Sequence, residues 1–293
     1  MYCDAHCHIF DLLEYIDKEQ LNQILKDTAC AISSFNLEQF LFHESLAKKA
    51  AEQNAAQATA QAEHPAPVVL CFAAHPQLPA MDKTGHYNEQ QIKDTLVLLE
   101  KLAKEKRIHA IGEAGFDLYS EEYRNTEKIQ DEVFNHHLDI ALTYNLPMVF
   151  HVRRAMHKIF LHTGKLKKLP AVIFHSWSGT IGEGEALLRR GVNTFFSFGT
   201  AIVNNHKEAK RCCALFPQER LLFESDSPYM PLRGKTFSSM QDLPLIYKAA
   251  FDLQKEAGKD PGSLAYPKNS FEEFQIQCTS NFSRAFGVQL PVL

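Results

Sequence analysis

Two imidazoles separated by a single residue are the first chemistry the chain offers. In DAHCH (4–8), His6 and His8 lie two apart. On a β-strand such residues share a face. Asp4 falls in the same period, which leaves the small residues Cys3, Ala5 and Cys7 for the opposite face. Two imidazoles in this relation can bind one metal ion, although a pair of exposed histidines would carry the same spacing. Other runs repeat the theme. Glu113 follows IHAIG, His151 follows LPMVF, His175 follows AVIF, and Glu224 and Asp226 follow LLF, sharing a face by the same period. One such residue at the end of an apolar run would ordinarily be a core polar group with a hydrogen-bond partner. Five runs ending this way would bury ionisable groups at a cost that apolar surroundings cannot offset. Metal ions supply the compensation. The donors are nitrogen and oxygen, which suits zinc, manganese or magnesium better than an ion that prefers thiolates.

The elements that must hold these residues can be read from the alternation of apolar runs with helical stretches. Eight runs have strand character: 2–10, 31–35, 67–75, 108–115, 146–152, 170–177, 192–199 and 220–228. Between them, 127–144 keeps a helical rhythm of apolar residues, and ALLRRG (186–191) reads as a helix end with Gly191 past its last turn. Strand–helix alternation predicts a mostly parallel sheet with helices outside. Eight repeats in 293 residues predict one closed (β/α)8 barrel, a TIM barrel, as a single domain over 1–293. Its active site is then expected at the carboxyl ends of the strands, where the polar residues fall. Residues 49–66 are rich in alanine and glutamine and lack an apolar face, so they read as a solvated helix or insertion after the second strand. The region after about 232 should supply a last helix pair packed on the outside of the barrel.

Bulk properties narrow the function. The formal net charge is −4, so no global basic field draws nucleic acid, and such a substrate would need a local basic rim. No apolar run is long enough to cross a bilayer, and MYCDAHCHIFD lacks the pattern of a signal peptide. The seven cysteines have neither zinc-ribbon nor CxxC spacing and read as buried thiols of a cytoplasmic protein. Nothing indicates an obligate protein partner, and a monomer is expected.

Taken in order, the motifs resemble those of the TatD family of metal-dependent deoxyribonucleases, within the amidohydrolase-like barrels. DAHCH (4–8) looks like its opening motif, AAHPQ (73–77) its His-Pro segment with Ala73 for the usual glycine, and IGEAGFD (111–117) its glutamate motif. FHVRRA (150–155) and FHSWSG (174–179) look like its single-histidine motifs, ESDSPYM (224–230) its aspartate motif and NFSRAFG (281–287) its C-terminal signature. The resemblance implies two divalent ions: His6, His8 and Asp226 on one, His151 and His175 on the second, and Glu113 bridging. It also implies Asp226 as acceptor of the proton from the attacking water. Two close ions can clamp both the nucleophile and the leaving oxygen of a phosphodiester, and a carboxylate beside them can take the proton. His75, Arg153, Arg233 and Lys235 are the expected substrate contacts, the alternatives being a turn histidine fixed by Pro76 for His75 and an exposed rim arginine for Arg153. Glu224, Asp4 and Asp117 are expected behind the ligands, with Glu224 either orienting a ligand or touching a further ion.

Some positions depart from the family pattern. Thr236 and Phe237 follow the RGK segment in place of asparagine and proline, Ser176 and Trp177 follow His175, and Val152 and Arg154 replace smaller or acidic residues. No departure removes a ligand; all bear on substrate. The expected function is therefore DNA cleavage, with a 3′–5′ exonuclease as one form of it. The alternatives are hydrolysis of a small ester, amide or phosphoester at the same metals, and a non-catalytic metal-binding barrel.

Overall fold

A computed structural model describes residues 1–56, 68–80, 89–258 and 270–290. Eight strands, β1 (Tyr2–Cys7), β2 (Thr28–Ser34), β3 (Val68–Phe72), β4 (Ala110–Asp117), β5 (Met148–Arg153), β6 (Val172–Phe174), β7 (Thr194–Phe198) and β8 (Leu221–Phe223), form one parallel sheet in sequence order. The barrel closes between its first and last strands, where His8 N donates to Ser227 O (2.8 Å) and Asp226 N to His6 O (3.0 Å). The expected (β/α)8 barrel is the observed fold.

The helices are α1 (Ile9–Leu12), α2 (Lys18–Asp27), α3 (Leu37–Ala56), α4 (Glu89–Lys104), α5 (Glu121–Arg124), α6 (Glu127–Tyr144), α7 (Met156–Leu161), α8 (Thr163–Leu166), α9 (Ile181–Arg189), α10 (Lys207–Leu215), α11 (Leu243–Ala257) and α12 (Phe271–Phe286). Their ends follow local chemistry. Asp17, Thr180 and Ser270 begin α2, α9 and α12 with reciprocal capping boxes. α6 ends at the left-handed Asn145, and Gly191 takes the left-handed conformation just beyond α9, as its sequence predicts. Residues 49–56 of the expected insertion continue α3, and 57–66 lie outside the described residues.

Two apolar layers define inside and outside. One cluster collects residues from all eight strands or their edges, including Ala31, Val69, Val149, Ile173, Phe195 and Leu222, and is the barrel interior. The larger cluster joins the other strand faces to the helices. The last helix pair departs from expectation. α11 packs outside, but Phe282, Ala285 and Phe286 of α12 belong to the interior cluster. Asn281 Nδ2 donates to Leu221 O at the start of β8, so α12 stoppers the amino end of the barrel. Among the described residues, no helix is long and apolar enough to cross a membrane, and all seven cysteines are buried free thiols.

Candidate metal centre

The expected ligands converge at the carboxyl ends of β1, β4, β5, β6 and β8, but two strands bring theirs in by breaking the regular alternation. The β1–β2 register runs Asp4↔Cys30 and then Cys7↔Ile32, so β1 carries one extra residue. Cys3 and Ala5 therefore face the interior while Cys7 packs in the outer layer with Cys30 and Ile32. This corrects the single face expected for Asp4, His6 and His8. Asp4, paired with the outer-layer Cys30, does not join the imidazoles. Its carboxylate accepts from Ser225 N (2.9 Å), Ser225 Oγ and His6 N (3.2 Å), fastening β1 to the segment after β8.

β4 uses the same device. Its register slips by one residue between Ile111 and Ala114, around Glu113. A bulge re-aims a side chain at the cost of one ladder step. Glycines flank it for a steric reason: a Cβ on Gly112 would lie 2.6 Å from Val149 Cβ. One on Gly115, whose φ is +134°, would lie 2.2 Å from His151 O. β4 can approach the main chain of β5 only without those side chains. Asp226 is set by a turn rather than a strand period. It lies beyond β8 at φ +48°, held by its N–H bond to His6 O and by Tyr229 N donating to its own carbonyl.

Glu113 is the hub. Its Oε2 is 3.1 Å from Nε2 of both His6 and His8, and those two nitrogens are 3.0 Å apart. Its Oε1 is 2.9 Å from His175 Nε2, 3.2 Å from His151 Nδ1 and 3.4 Å from His75 Nε2. Asp226 Oδ1 lies 3.8 Å from His6 Nε2 and 3.7 Å from His8 Nε2. Three donor sets have ligand atoms within 4.8 Å of one another: His6–His8–Glu113, His6–His175–Asp226 and His75–Glu113–His151. Lone pairs that face one another this closely need a proton or a cation between them. Hydrogen bonds alone leave part of the set unsatisfied, whereas a divalent ion about 2.0–2.2 Å from each donor serves several at once. The donor set fits such an ion.

The ligands are held from behind. His151 Nε2 is 3.0 Å from Asp117 Oδ2, which also accepts from Gln77 Nε2 (2.7 Å). Gln130 of α6 bonds both main-chain groups of Asp117. Ser33 Oγ is 3.4 Å from His6 Nδ1. Glu224 Oε1 accepts from Ser176 N (2.7 Å) and lies 3.5 Å from His175 Nδ1. Ser33, Gln77 and Gln130 were not singled out from the sequence. Gln77 sits in the AAHPQ motif, whereas a glutamine on a helix face, like Gln130, carries no distinguishing signal.

Burial and charge act against each other here. Burial would raise the Glu113 carboxyl, but His6, His175, His75 and His151 together hold it well below the ordinary carboxylate range. Burial would lower the His175 imidazole, but Glu113 and Glu224 hold it well above its ordinary value. Asp117, against the pull of burial, is lowered to about 2 by His151, Gln77 and the Tyr119 amide.

A cavity of about 440 Å³ opens above the centre, walled by His8, Asp11, Phe35, His75, Arg153 and Tyr229 among others. His75 and Arg153 thus reach it. Arg233 and Lys235 are not among its lining residues. Arg233 is exposed and bonds Asn204 through its main chain, and Lys235 Nζ is committed to the buried Asp242. Tyr229 is a wall residue the sequence reading passed over: its ring meets His8 at 5.1 Å between centroids and its hydroxyl donates to Asp11 Oδ2 (2.8 Å).

The family described as TatD related DNase matches residues 3–287, the whole of this ligand framework. The chain belongs to that family. This TatD-family protein is 30% identical over 250 residues to a metal-dependent hydrolase of Mycoplasma pneumoniae, covering 80% of this chain and 85% of that one. It is 32% identical over 149 residues to the 3′–5′ ssDNA/RNA exonuclease TatD of Erwinia billingiae, covering 50% of this chain and 55% of that one. In structure it matches YjjV, a TatD homologue of Escherichia coli K12, with a TM-score of 0.73 over 98% of both chains at 18% identity, which bears on the fold alone. The TatD-family chain is accordingly a metal-dependent hydrolase.

Proposed function

We propose that the protein is a nuclease that removes nucleotides from the 3′ end of single-stranded DNA, using two divalent ions. The observation that carries this reading is the bifacial contact of Glu113, with Oε2 toward His6 and His8 and Oε1 toward His151 and His175. In this reading His6, His8 and Asp226 would hold one ion and His151 and His175 the other, with Glu113 able to serve both. When bound, the ions supply Lewis-acid polarisation of the phosphoryl group and a lowered pKa for the attacking water. Asp226, whose Oδ1 lies within 4 Å of Nε2 of both opening histidines, would accept a proton from an attacking water in the cavity. His75 and Arg153 meet phosphate oxygens from the cavity wall, the guanidinium by paired hydrogen bonds. Asp117 keeps His151 in one ring orientation, and Glu224 stands behind His175. Arg233, off the cavity, meets substrate only beyond its rim, and Lys235 is held by Asp242. The activity in the name of the Erwinia billingiae relative supports the polarity and the strand preference.

The test is a 5′-labelled single strand incubated with protein and magnesium, manganese or zinc in turn. A ladder shortening from the 3′ end is expected, with slower loss from a duplex. Metal-loaded protein that leaves both intact with every ion would overturn the nuclease reading. A second reading, hydrolysis of a small phosphoester or other ester, is favoured by the net charge of −4 and by Arg153 being the only Lys or Arg among the described residues that line the cavity. Turnover of small esters without nucleotide release would select it.

A further inference from the structure

Beside the metal centre, at the mouth of the cavity, two consecutive arginines share one tyrosine. Arg153 ends β5 and lines the cavity. The Cζ atoms of Arg153 and Arg154 lie 4.3 Å and 4.6 Å from the centroid of the Tyr119 ring. On a regular strand, neighbours point to opposite faces. These two gather on one ring because Arg154 leaves the strand in the left-handed region, at φ +56°, a conformation unusual for a residue other than glycine. Tyr119 is itself fixed: its N–H donates to Asp117 Oδ1 (2.9 Å), and Arg124 Nη1 donates to its carbonyl (2.9 Å).

The charges at this point are poorly neutralised. Arg153 Nη1 has one carboxylate near it, Asp117 Oδ2 at 3.6 Å, and that oxygen already serves His151 and Gln77. Among the described residues no ion pair joins Arg154 to a carboxylate. Both arginine side chains reach solvent, and Tyr119 is 49% exposed. Stacking on an aromatic face leaves the edge donors of a guanidinium free and reduces its rotamer freedom, which prepares it for an oxygen anion. In a chain with a net charge of −4, such a pair is a local basic point at the rim.

We infer that Tyr119, Arg153 and Arg154 form a docking site for a second phosphate of the substrate, one that lies outside the metal centre. This rests on the nuclease reading and deepens it. The preferred substrate carries at least two phosphates in sequence, as an oligonucleotide does, and an isolated phosphoester engages only half of the site. Arg153 bridges the two parts, and Arg154 with Tyr119 belongs to the outer phosphate.

Two readouts test this. The first is the ratio of kcat/KM for a single-stranded oligonucleotide of about ten nucleotides to that for bis(p-nitrophenyl) phosphate, a one-phosphate diester. Arg154→Asn suits the left-handed backbone and removes the charge. Its ratio should fall about tenfold through KM, the usual size of one charge-assisted contact, with Arg154→Glu falling further. Tyr119→Leu should follow Arg154→Asn, while Tyr119→Phe, which keeps the ring, stays near wild type. The second is anisotropy of the same labelled oligonucleotide on protein loaded with calcium, across a salt series. Loss of one phosphate contact on a single strand lowers the slope of log K against log salt by about 0.7, and Arg154→Asn should show that drop. An unchanged ratio together with an unchanged slope overturns the docking site. If the wild-type protein cleaves neither substrate, the nuclease reading fails, and the salt slope alone still decides whether this rim binds phosphate.

Discussion

His151 stands between two carboxylates, with Nδ1 3.2 Å from Glu113 Oε1 and Nε2 3.0 Å from Asp117 Oδ2. Asp117 therefore fixes which ring nitrogen faces the centre, and it is the anchor of a chain that runs through Gln77, Gln130 and the Tyr119 amide. Replacing a carboxylate behind a metal-bound histidine generally lowers affinity 10–100-fold. Asp117→Asn should weaken metal binding by about that factor, read by titration against a chelator of known affinity, with the fold retained by circular dichroism. Wild-type affinity in the variant would separate Asp117 from the centre.

Removing metal should cost stability as well as activity. Seven ionisable groups crowd the site, namely His6, His8, His75, Glu113, His151, His175 and Asp226. Ions that bind the folded chain and not the unfolded one stabilise by about 4 kcal/mol at a thousandfold excess over Kd. Chelation should lower Tm by several degrees and readdition should restore it. Calorimetric scans that superimpose with and without chelator would count against tight binding at this cluster.

Gly115→Ala tests the close approach of β4 to β5. The new Cβ would fall 2.2 Å from His151 O, at a φ of +134°. A destabilisation of about 3 kcal/mol or more is expected in denaturant melts. Gly182→Ala is the control: that position lies in α9 with open space around it. It should stabilise by about 0.5–1 kcal/mol. Equal effects in the two variants would contradict the packing argument.

How much of this was legible in sequence depended on whether a residue obeys a period. The eight runs and the helix at 127–144 became β1 to β8 and α6, because buried parallel strands and amphipathic helices announce themselves by composition and rhythm. His6 and His8 are legible from their period-two spacing, and Glu113, His151, His175 and Asp226 because each follows an apolar run; the six converge. The mechanism that aims them was hidden. An extra residue in β1 or β4 has no signature in a period-two reading, and so Asp4 was set on the wrong face. α12 was taken for an outer helix because an apolar face does not say which layer it enters. Tyr119 and Arg154 meet only through a left-handed turn, which one sequence does not reveal.

Two buried histidines outside the centre set an acid limit on the fold. His43 Nε2 accepts from Phe10 N, and its Nδ1 is 2.7 Å from Ser34 Oγ; His137 Nε2 accepts from Ala74 N. Burial lowers both to about 3, with like-charge repulsion from His8 and His136 adding to it. The unfolded chain takes up these protons near pH 6.5 and the folded chain does not, so stability is full above about 6.5 and is lost as pH falls toward 3. Between pH 7.5 and 5.5 the pair should remove about 3 kcal/mol. His43→Gln should remove roughly half of the pair's contribution to the slope of unfolding free energy against pH, about 0.7 kcal/mol per pH unit over that interval. An unaltered slope would mean that His43 is protonated in the folded protein.

The central claim is metal-dependent phosphodiester hydrolysis with Asp226 as proton acceptor. It is tested most directly by nucleotide release from a labelled single strand by wild type and Asp226→Asn, with the metal content of both proteins measured by elemental analysis. The account predicts release that needs a divalent ion and that falls about 10²–10⁴-fold in the variant, the usual size of a general-base contribution, while the ion bound through Glu113, His151 and His175 is retained. Release by metal-free protein, or a variant as active as the wild type, would contradict it.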